Sequence, residues 1–207
     1  GAAQLLDQEL AHNGLDDEAR ELCKIITTET DRLRNLVDRL LGPNQIPRFE
    51  QINIHEVTEH VAALLEAEAQ GSLVISRDYD PSIPDIQGDR IQLIQAVLNV
   101  ARNAMQAVLE SGRSTPRVMI KSRIQRSFTI GGERHRVVCR IDVIDNGPGV
   151  STEILERIFF PMISGRSNGS GLGLTIAQTA VNGHQGIIEC DSESGNTRFS
   201  IYLPIRD

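Results

Sequence analysis

Two kinds of hydrophobic spacing divide the chain. In the first forty residues apolar positions recur every three or four residues, as in Leu33, Leu36 and Leu40. This spacing predicts two amphipathic helices that are separated near residues 12–14. Because two such helices cannot bury their apolar stripes alone, we expect a helical hairpin that dimerises as part of a four-helix bundle. A hairpin folded onto its own domain is the alternative.

After residue 50 the pattern changes to short alternating runs interleaved with helical ones. Glycine and proline over residues 42–50 predict a linker between a dimerisation hairpin (1–41) and a second domain (51–207). Strands are expected over 51–54, 73–79, 117–124, 136–144, 186–191 and 197–203. Helices are expected over 57–70, 89–109, 151–158 and 172–181, the second capped by Asp89 and the third by Ser151. This order predicts an α+β fold, an α/β sandwich with a mixed sheet covered by helices on one face.

Composition narrows the class of partner. The 207 residues carry a net charge of -7, which argues against a nucleic-acid surface, because phosphate binding needs a net basic face. No apolar run is long enough for a membrane span, and the sequence contains no signal-peptide pattern. Cys23, Cys139 and Cys190 form no CxxC pair and are typical of buried thiols in a reducing, cytoplasmic compartment.

Candidate chemistry concentrates between Asp145 and Leu174, where two glycine clusters enclose an apolar-aromatic segment. Asp145 ends a predicted buried strand, and a carboxylate in an apolar pocket can accept a hydrogen bond from an exocyclic amine. Glycine serves where the backbone takes positive φ or lies close to a ligand, and a helix N-terminus attracts anions. Either cluster alone is compatible with an ordinary turn or loop. Together they predict a pocket in which the carboxylate binds a nucleobase at one end and the glycine-rich backbone binds phosphate at the other.

The two clusters follow Asn99 and Asn103, which share one helix face because they are four residues apart. This combination resembles the ATP-binding domain of histidine kinases, within the superfamily that includes gyrase, Hsp90 and MutL. The resemblance covers nearly the whole chain. Its boxes are an asparagine box at 89–104, a first glycine box at 145–149, an aromatic box at 156–161 and a second glycine box at 169–174.

The resemblance implies ATP and Mg²⁺ as cofactors. Asn103 is then the Mg²⁺ ligand, Asn99 assists catalysis near the phosphates, and Asp145 reads the adenine amine. The glycine boxes are expected to line the nucleotide through Gly147, Gly149, Gly169, Gly171, Leu172 and Gly173.

The segment between the glycine boxes resembles a lid over the nucleotide. Arg166 in this segment is expected to reach the γ-phosphate and neutralise developing charge. Phe159 is expected to clamp the base, with Phe160 beside it. Ordinary core packing of these two aromatic rings is the alternative.

Asn99 separates a kinase from an ATPase. ATP-hydrolysing members of the superfamily carry a glutamate four residues before the magnesium asparagine, as a base for water. Here that position is an amide without useful basicity, which favours phosphoryl transfer to an imidazole. An ATP-hydrolysing clamp and a nucleotide-binding regulatory scaffold are the alternative functions.

The acceptor histidine of such kinases lies in a His-Glu-x-x-Asn-Pro motif, which this chain lacks. None of its histidines, at positions 12, 55, 60, 135 and 184, has that context. We therefore expect a fragment that binds ATP, does not phosphorylate itself and begins after its acceptor.

Within the histidine kinases, the sequence most resembles the nitrogen-regulation (NtrB-type) sensor kinases. The residues that carry this likeness include 1–6, 19–41, 128–132, 160–162 and 187–191. It implies a homodimer formed through the helical hairpin, an NtrC-type response regulator as phosphoryl acceptor and a PII signal protein as controller.

Overall fold

The structure is a computed structural model and describes residues 47–163 and 171–205. In these residues the alternating and helical apolar patterns form seven strands and four helices. The helices are α1 (Ile54–Ala69), α2 (Arg90–Glu110), α3 (Thr152–Leu155) and α4 (Gly173–Gly183). The strands are β1 (Glu50–Ile52), β2 (Val74–Asp78), β3 (Ile86–Gly88), β4 (Arg117–Ile130), β5 (Glu133–Asp145), β6 (Ile187–Glu193) and β7 (Asn196–Pro204). None of these helices is long and apolar enough to cross a membrane.

Five strands form one mixed sheet in the order β2-β4-β5-β7-β6, and β1 pairs with β3 in a separate two-stranded sheet. Strand β2 is parallel to β4, while the other neighbours are antiparallel. Alternate residues of the central strands are buried together with α1, α2 and α4 in one core, for example Ile120, Val143 and Phe199. The predicted mixed sheet covered by helices is therefore confirmed.

The predicted hairpin over residues 1–41 and most of the linker lie outside the described residues, so the three-part division of the chain stays a prediction. All described residues belong to one compact unit.

Several predicted boundaries were wrong. Helix α1 begins at Ile54 rather than at residue 57, because the Asn53 side chain accepts a hydrogen bond from the His55 N–H and so caps it earlier. Strand β3 was missed, since three residues are too few to reveal an alternating pattern, and its place is fixed by pairing with β1. Ser151 occupies the cap position of α3 without a side-chain hydrogen bond, and that helix ends at Leu155 rather than 158.

Strands β4 and β5 are also longer than predicted. Strand β4 extends to Ile130 and β5 begins at Glu133. Gly131 and Gly132, with φ of 57° and 89°, connect them. Both torsions are positive, which is the requirement of a two-residue hairpin turn. The predicted turn is confirmed, while the strands on either side of it extend to the turn itself.

Asp89 and His184 join the start of α2 to the end of α4. The Asp89 Oδ1 atom accepts from the N–H groups of Ile91 and Gln92, both at 3.0 Å, so the predicted cap is confirmed. Its Oδ2 accepts from the Arg48 N–H at 2.8 Å. The buried His184 ring accepts from the Asp89 N–H at Nε2 (2.8 Å) and lies 2.7 Å from the Ala180 carbonyl at Nδ1. This pattern places the proton on Nδ1.

Because Asp89 satisfies three backbone donors, Asp89→Ala should lower the free energy of unfolding by about 1–2 kcal/mol. Asp89→Asn keeps one acceptor oxygen and should lose less. Exposed Asp85 makes no such bond and provides the control, Asp85→Ala, for which we expect little change. Urea denaturation measures all three, and equal stabilities for the two alanine variants would contradict this role of Asp89.

Candidate functional site

The carboxylate of Asp145 lies at the end of β5, and the residue is only 3 % exposed. Strand register places it beside Val118 of β4 and Thr197 of β7, both buried on the helix-covered face of the sheet. Its Oδ1 accepts from the Gly147 N–H at 2.8 Å. A buried carboxylate held by a backbone donor is positioned to accept a further hydrogen bond from a ligand.

Two hydroxyl groups extend the polar row that Asp145 begins. Thr197 is buried next to Asp145 in the register, and its Oγ1 lies 3.0 Å from the Ser192 Oγ of β6. The Ser192 hydroxyl in turn accepts from the Val150 N–H at 2.8 Å. The sequence patterns did not assign Thr197 or Ser192 to the site. The missing signal is the strand register, which sets Thr197 opposite Asp145 and Ser192 opposite Thr197.

The neighbouring Cys190 belongs to the same electrostatic surroundings. Burial raises the pKa of its thiol to about 12, and the charges of Asp191 and Asp145 act in the same direction. Burial likewise raises the pKa of Cys139 to about 12. Both thiols are therefore protonated near neutral pH and are unsuited to act as nucleophiles.

The first glycine cluster is a tight turn wedged between α2 and the β6–β7 connection. A Cβ atom on Gly147 would lie 2.7 Å from Asp145 Oδ1 and 3.4 Å from Ala107 Cβ. Gly149 has φ of 89°, and a Cβ there would lie 3.1 Å from the Glu193 backbone. The Gly147 carbonyl accepts from the N–H of Gly195 at 2.9 Å. Both predicted glycines therefore stand where a side chain does not fit, beside the buried acid.

Asn99 and Asn103 lie on one face of α2. Gly173, the first residue of α4, lies next to Asn99. A Cβ on Gly173 would be 4.0 Å from Asn99 Cβ. The Nδ2 atom of Asn99 is buried and has no hydrogen-bond partner among the described residues. An unsatisfied buried amide costs on the order of 1–3 kcal/mol, so this group points to a polar ligand that completes it.

The predicted lid is closed at its base by a backbone contact. Gly171, with φ of 64°, accepts from the Met162 N–H at 3.2 Å, and a Cβ on it would lie 2.7 Å from the Met162 carbonyl carbon. Met162 itself adopts φ of 64° and is 74 % exposed. Gly171 is thus required at this position. Arg166 and Gly169, predicted for the phosphate end of the site, lie outside the described residues.

Leu172 and Phe159 point their side chains into the protein. Leu172 is 2 % exposed, so only its backbone, at the start of α4, is available to a ligand. The half-buried Phe159 packs on the main core and meets the Phe199 ring edge-on at 6.4 Å, whereas Phe160 is 58 % exposed. This is the packing of a core aromatic, the second of the two interpretations of Phe159.

Comparison with known proteins places these features in a family. Residues 88–207 match the family described as "Histidine kinase-, DNA gyrase B-, and HSP90-like ATPase". The sensory histidine kinase/phosphatase NtrB of Proteus hauseri is 45% identical over 206 residues, which cover 100% of this chain and 57% of that protein. The Rhizobium meliloti (strain 1021) NtrB is 36% identical over 209 residues, covering 99% and 53%. The chain thus spans little more than half the length of these curated relatives.

Solved structures share the fold. The catalytic domain of histidine kinase ThkA superposes with a TM-score of 0.64 at 22% identity, covering 76% of this chain and 96% of that one. Full-length ShkA in complex with AMPPNP gives 0.66 at 24% identity, covering 97% and 42%. ThkA in complex with the response regulator protein TrrA gives 0.65 at 21% identity, covering 99% and 58%.

We expect Gly171→Ala to loosen the base of the lid, because the new Cβ collides with backbone atoms that cannot rotate away. Gly112 has nearly the same φ, 66°, but nothing lies within 4 Å of its Cβ position. Gly112→Ala therefore controls for left-handed backbone strain alone. Hydrogen exchange at the Met162 amide should accelerate at least about tenfold in the first variant and stay unchanged in the second. Equal protection in both variants would contradict the collision.

Proposed function

The chain belongs to the family of histidine kinase-, DNA gyrase B- and HSP90-like ATPases, and we propose that it is the ATP-binding catalytic part of a two-component sensor histidine kinase of nitrogen regulation. The observation that carries the proposal is Asn99. Its amide nitrogen Nδ2 is buried and has no hydrogen-bond partner among the described residues, and its Cβ lies next to the first residue of α4. An amide in that place can complete a ligand's hydrogen bonds without supplying the base that ATP hydrolysis requires.

The described residues fit Mg-ATP. Asp145 offers a buried acceptor for the adenine amine, with the Thr197 and Ser192 hydroxyls in the same row. Gly147, Gly149 and Gly171 let the backbone pack tightly around this acid and at the base of the lid, because a Cβ at each position would collide with neighbouring protein atoms. No group of three or more His, Cys, Asp or Glu side chains in the described part is placed to hold a metal. The resemblance assigns Mg²⁺ to the Asn103 amide oxygen, and Mg²⁺ in such sites takes few protein ligands.

Mg-ATP supplies the transferable phosphoryl group and the metal charge that screens it. The protein contributes orientation and electrostatics, which dominate phosphoryl transfer. Asp145 fixes the base end, and the α4 N-terminus at Gly173 directs free N–H groups towards the phosphate end. Asn103 would hold the metal, and Asn99 would contact the phosphates. Arg166, in the undescribed lid, is assigned to neutralise charge on the γ-phosphate.

The phosphoryl acceptor is a histidine outside the segments described here. His55 and His184 have structural surroundings, since His55 stacks on Tyr79 and lies 3.0 Å from the Ser122 hydroxyl, while His184 is buried between α2 and α4. Neither these nor the other three histidines have the acceptor motif. We assign the acceptor to a histidine-bearing dimerisation domain that is supplied to this chain.

A response regulator is the proposed next acceptor, supported by the similarity to ThkA, which was solved in complex with a response regulator protein. The likeness to NtrB proteins supports an NtrC-type regulator and control by a PII signal protein. We further propose that the residues before Gly42 dimerise the protein as a helical hairpin.

Asp145→Asn should lower the affinity for Mg-ATP at least about tenfold, or 1.4 kcal/mol, because the amide no longer presents two acceptor oxygens to the site. Asp142→Asn is the matched control. Asp142 is also buried on β5, but it lies on the opposite face, bonded to Arg140 and Ser200. Calorimetric titration with a non-hydrolysable ATP analogue and Mg²⁺ measures both. Unchanged binding by Asp145→Asn would remove the adenine assignment.

The chain alone should yield neither phosphohistidine nor steady ATP turnover. With a histidine-bearing dimerisation domain added in trans, labelled ATP should give acid-labile phosphate on that domain, and Asn103→Ala should abolish the transfer. Steady hydrolysis without an acceptor would favour an ATP-hydrolysing clamp. Tight nucleotide binding without transfer to any supplied histidine domain would favour a regulatory scaffold.

A further inference from the structure

Strands β4 and β5 continue past their neighbours in the sheet. Pairing of β2 with β4 ends at Lys121, and pairing of β7 with β5 ends at Val138. Beyond these points residues 126–136 pair only across their own hairpin, for example Phe128 with His135 and Ile130 with Glu133. We call residues 126–136 the hairpin arm. An unsupported two-stranded hairpin is only marginally stable in water, so an ordered arm needs a brace.

A second, smaller apolar cluster supplies that brace. The Phe128 ring stacks on Tyr202 with 4.2 Å between ring centroids and 12° between planes. Ile130 and Tyr202 are buried with Val138, and Ile187 packs beside them, separately from the main core. Ser127 takes φ of 54° next to this contact. The arm is therefore fixed to the rest of the domain, which limits the entropy lost when it meets a partner.

The arm is basic in an acidic protein. Its three arginines, Arg126, Arg134 and Arg136, and its one acid, Glu133, give it a net charge of +2, while the whole chain carries -7, so the remainder carries -9. All three arginines are exposed. None forms an ion pair with any described residue. Elsewhere in the described part, Arg77, Arg90, Arg102, Arg123 and Arg140 each pair with a carboxylate.

We propose that the hairpin arm is a docking surface for a carboxylate-rich face of a partner protein. Exposed guanidinium groups bind carboxylates through paired hydrogen bonds, and complementary charge sets orientation and association rate. A protein partner is favoured over nucleic acid or an anionic membrane, because those polyanions extend well beyond one hairpin and would meet the acidic remainder of the chain.

A short poly-L-glutamate peptide provides a defined carboxylate-rich probe, with a short DNA duplex and phosphatidylserine-containing vesicles as the competing classes. Titrated into the 207-residue chain, polyglutamate should shift the amide resonances of residues 126–136 and bind more weakly as salt rises. Arg134→Glu with Arg136→Glu should weaken binding at least about tenfold. Arg48→Glu with Arg117→Glu changes the charge equally at two exposed arginines outside the arm, and should stay within about twofold.

Thermal unfolding should be the same for both charge-reversal variants, because neither pair of side chains makes an ion pair in the described structure. Phe128→Ala keeps the charges but removes the ring stack, and should weaken polyglutamate binding several-fold at an unchanged net charge. The proposal would be overturned if the affinity for polyglutamate were unchanged by the arginine substitutions in the arm or by Phe128→Ala. Tighter binding of the arm to DNA or to vesicles would also overturn it, in favour of those partners.

Discussion

The register between β5 and β7 is the constraint on which the site depends. It sets Asp145 beside Thr197, and the β6–β7 register then brings Ser192 into the same row. Side chains alternate between the faces of a strand, so a slip of one residue would move the acid from the helix-covered face to the other one. The hydrophobic residues behind this row, including Val143 and Phe199, hold the register because they have to be buried. The core thus aligns the polar groups of the site.

Strand β5 carries two buried acids with different surroundings. Asp142, three residues before Asp145, faces the side of the sheet away from the helices. Its Oδ1 is bonded to Arg140 at 2.7 Å and to the Ser200 hydroxyl at 2.7 Å. A buried charge is tolerable when it is paired and hydrogen-bonded in this way. Asp145 instead receives the backbone N–H of a glycine turn, an arrangement compatible with a ligand that arrives and leaves.

The two faces of the sheet carry separate apolar clusters. One face carries α1, α2 and α4 with the main core, and α4 runs from Gly173, beside Asn99, to the Asp89–His184 junction at its other end. The other face carries the cluster around Tyr202, which braces the hairpin arm. The candidate ligand site and the proposed docking arm are therefore supported by different faces of the same sheet.

The sequence by itself determined the fold class and the order of most elements, and it proposed the candidate site residues from Asn99 to Gly173, which stay predictions. It did so because local signals suffice for these features: apolar spacing, a capping aspartate at position 89, and glycines at Gly149 and Gly171 where φ is positive. Sequence spacing did not locate β3, the row formed by Thr197 and Ser192, or the core packing of Phe159. Only the tertiary structure decided these, because each depends on a partner distant in the chain: β1 for β3, β5 for Thr197 and Phe199 for Phe159.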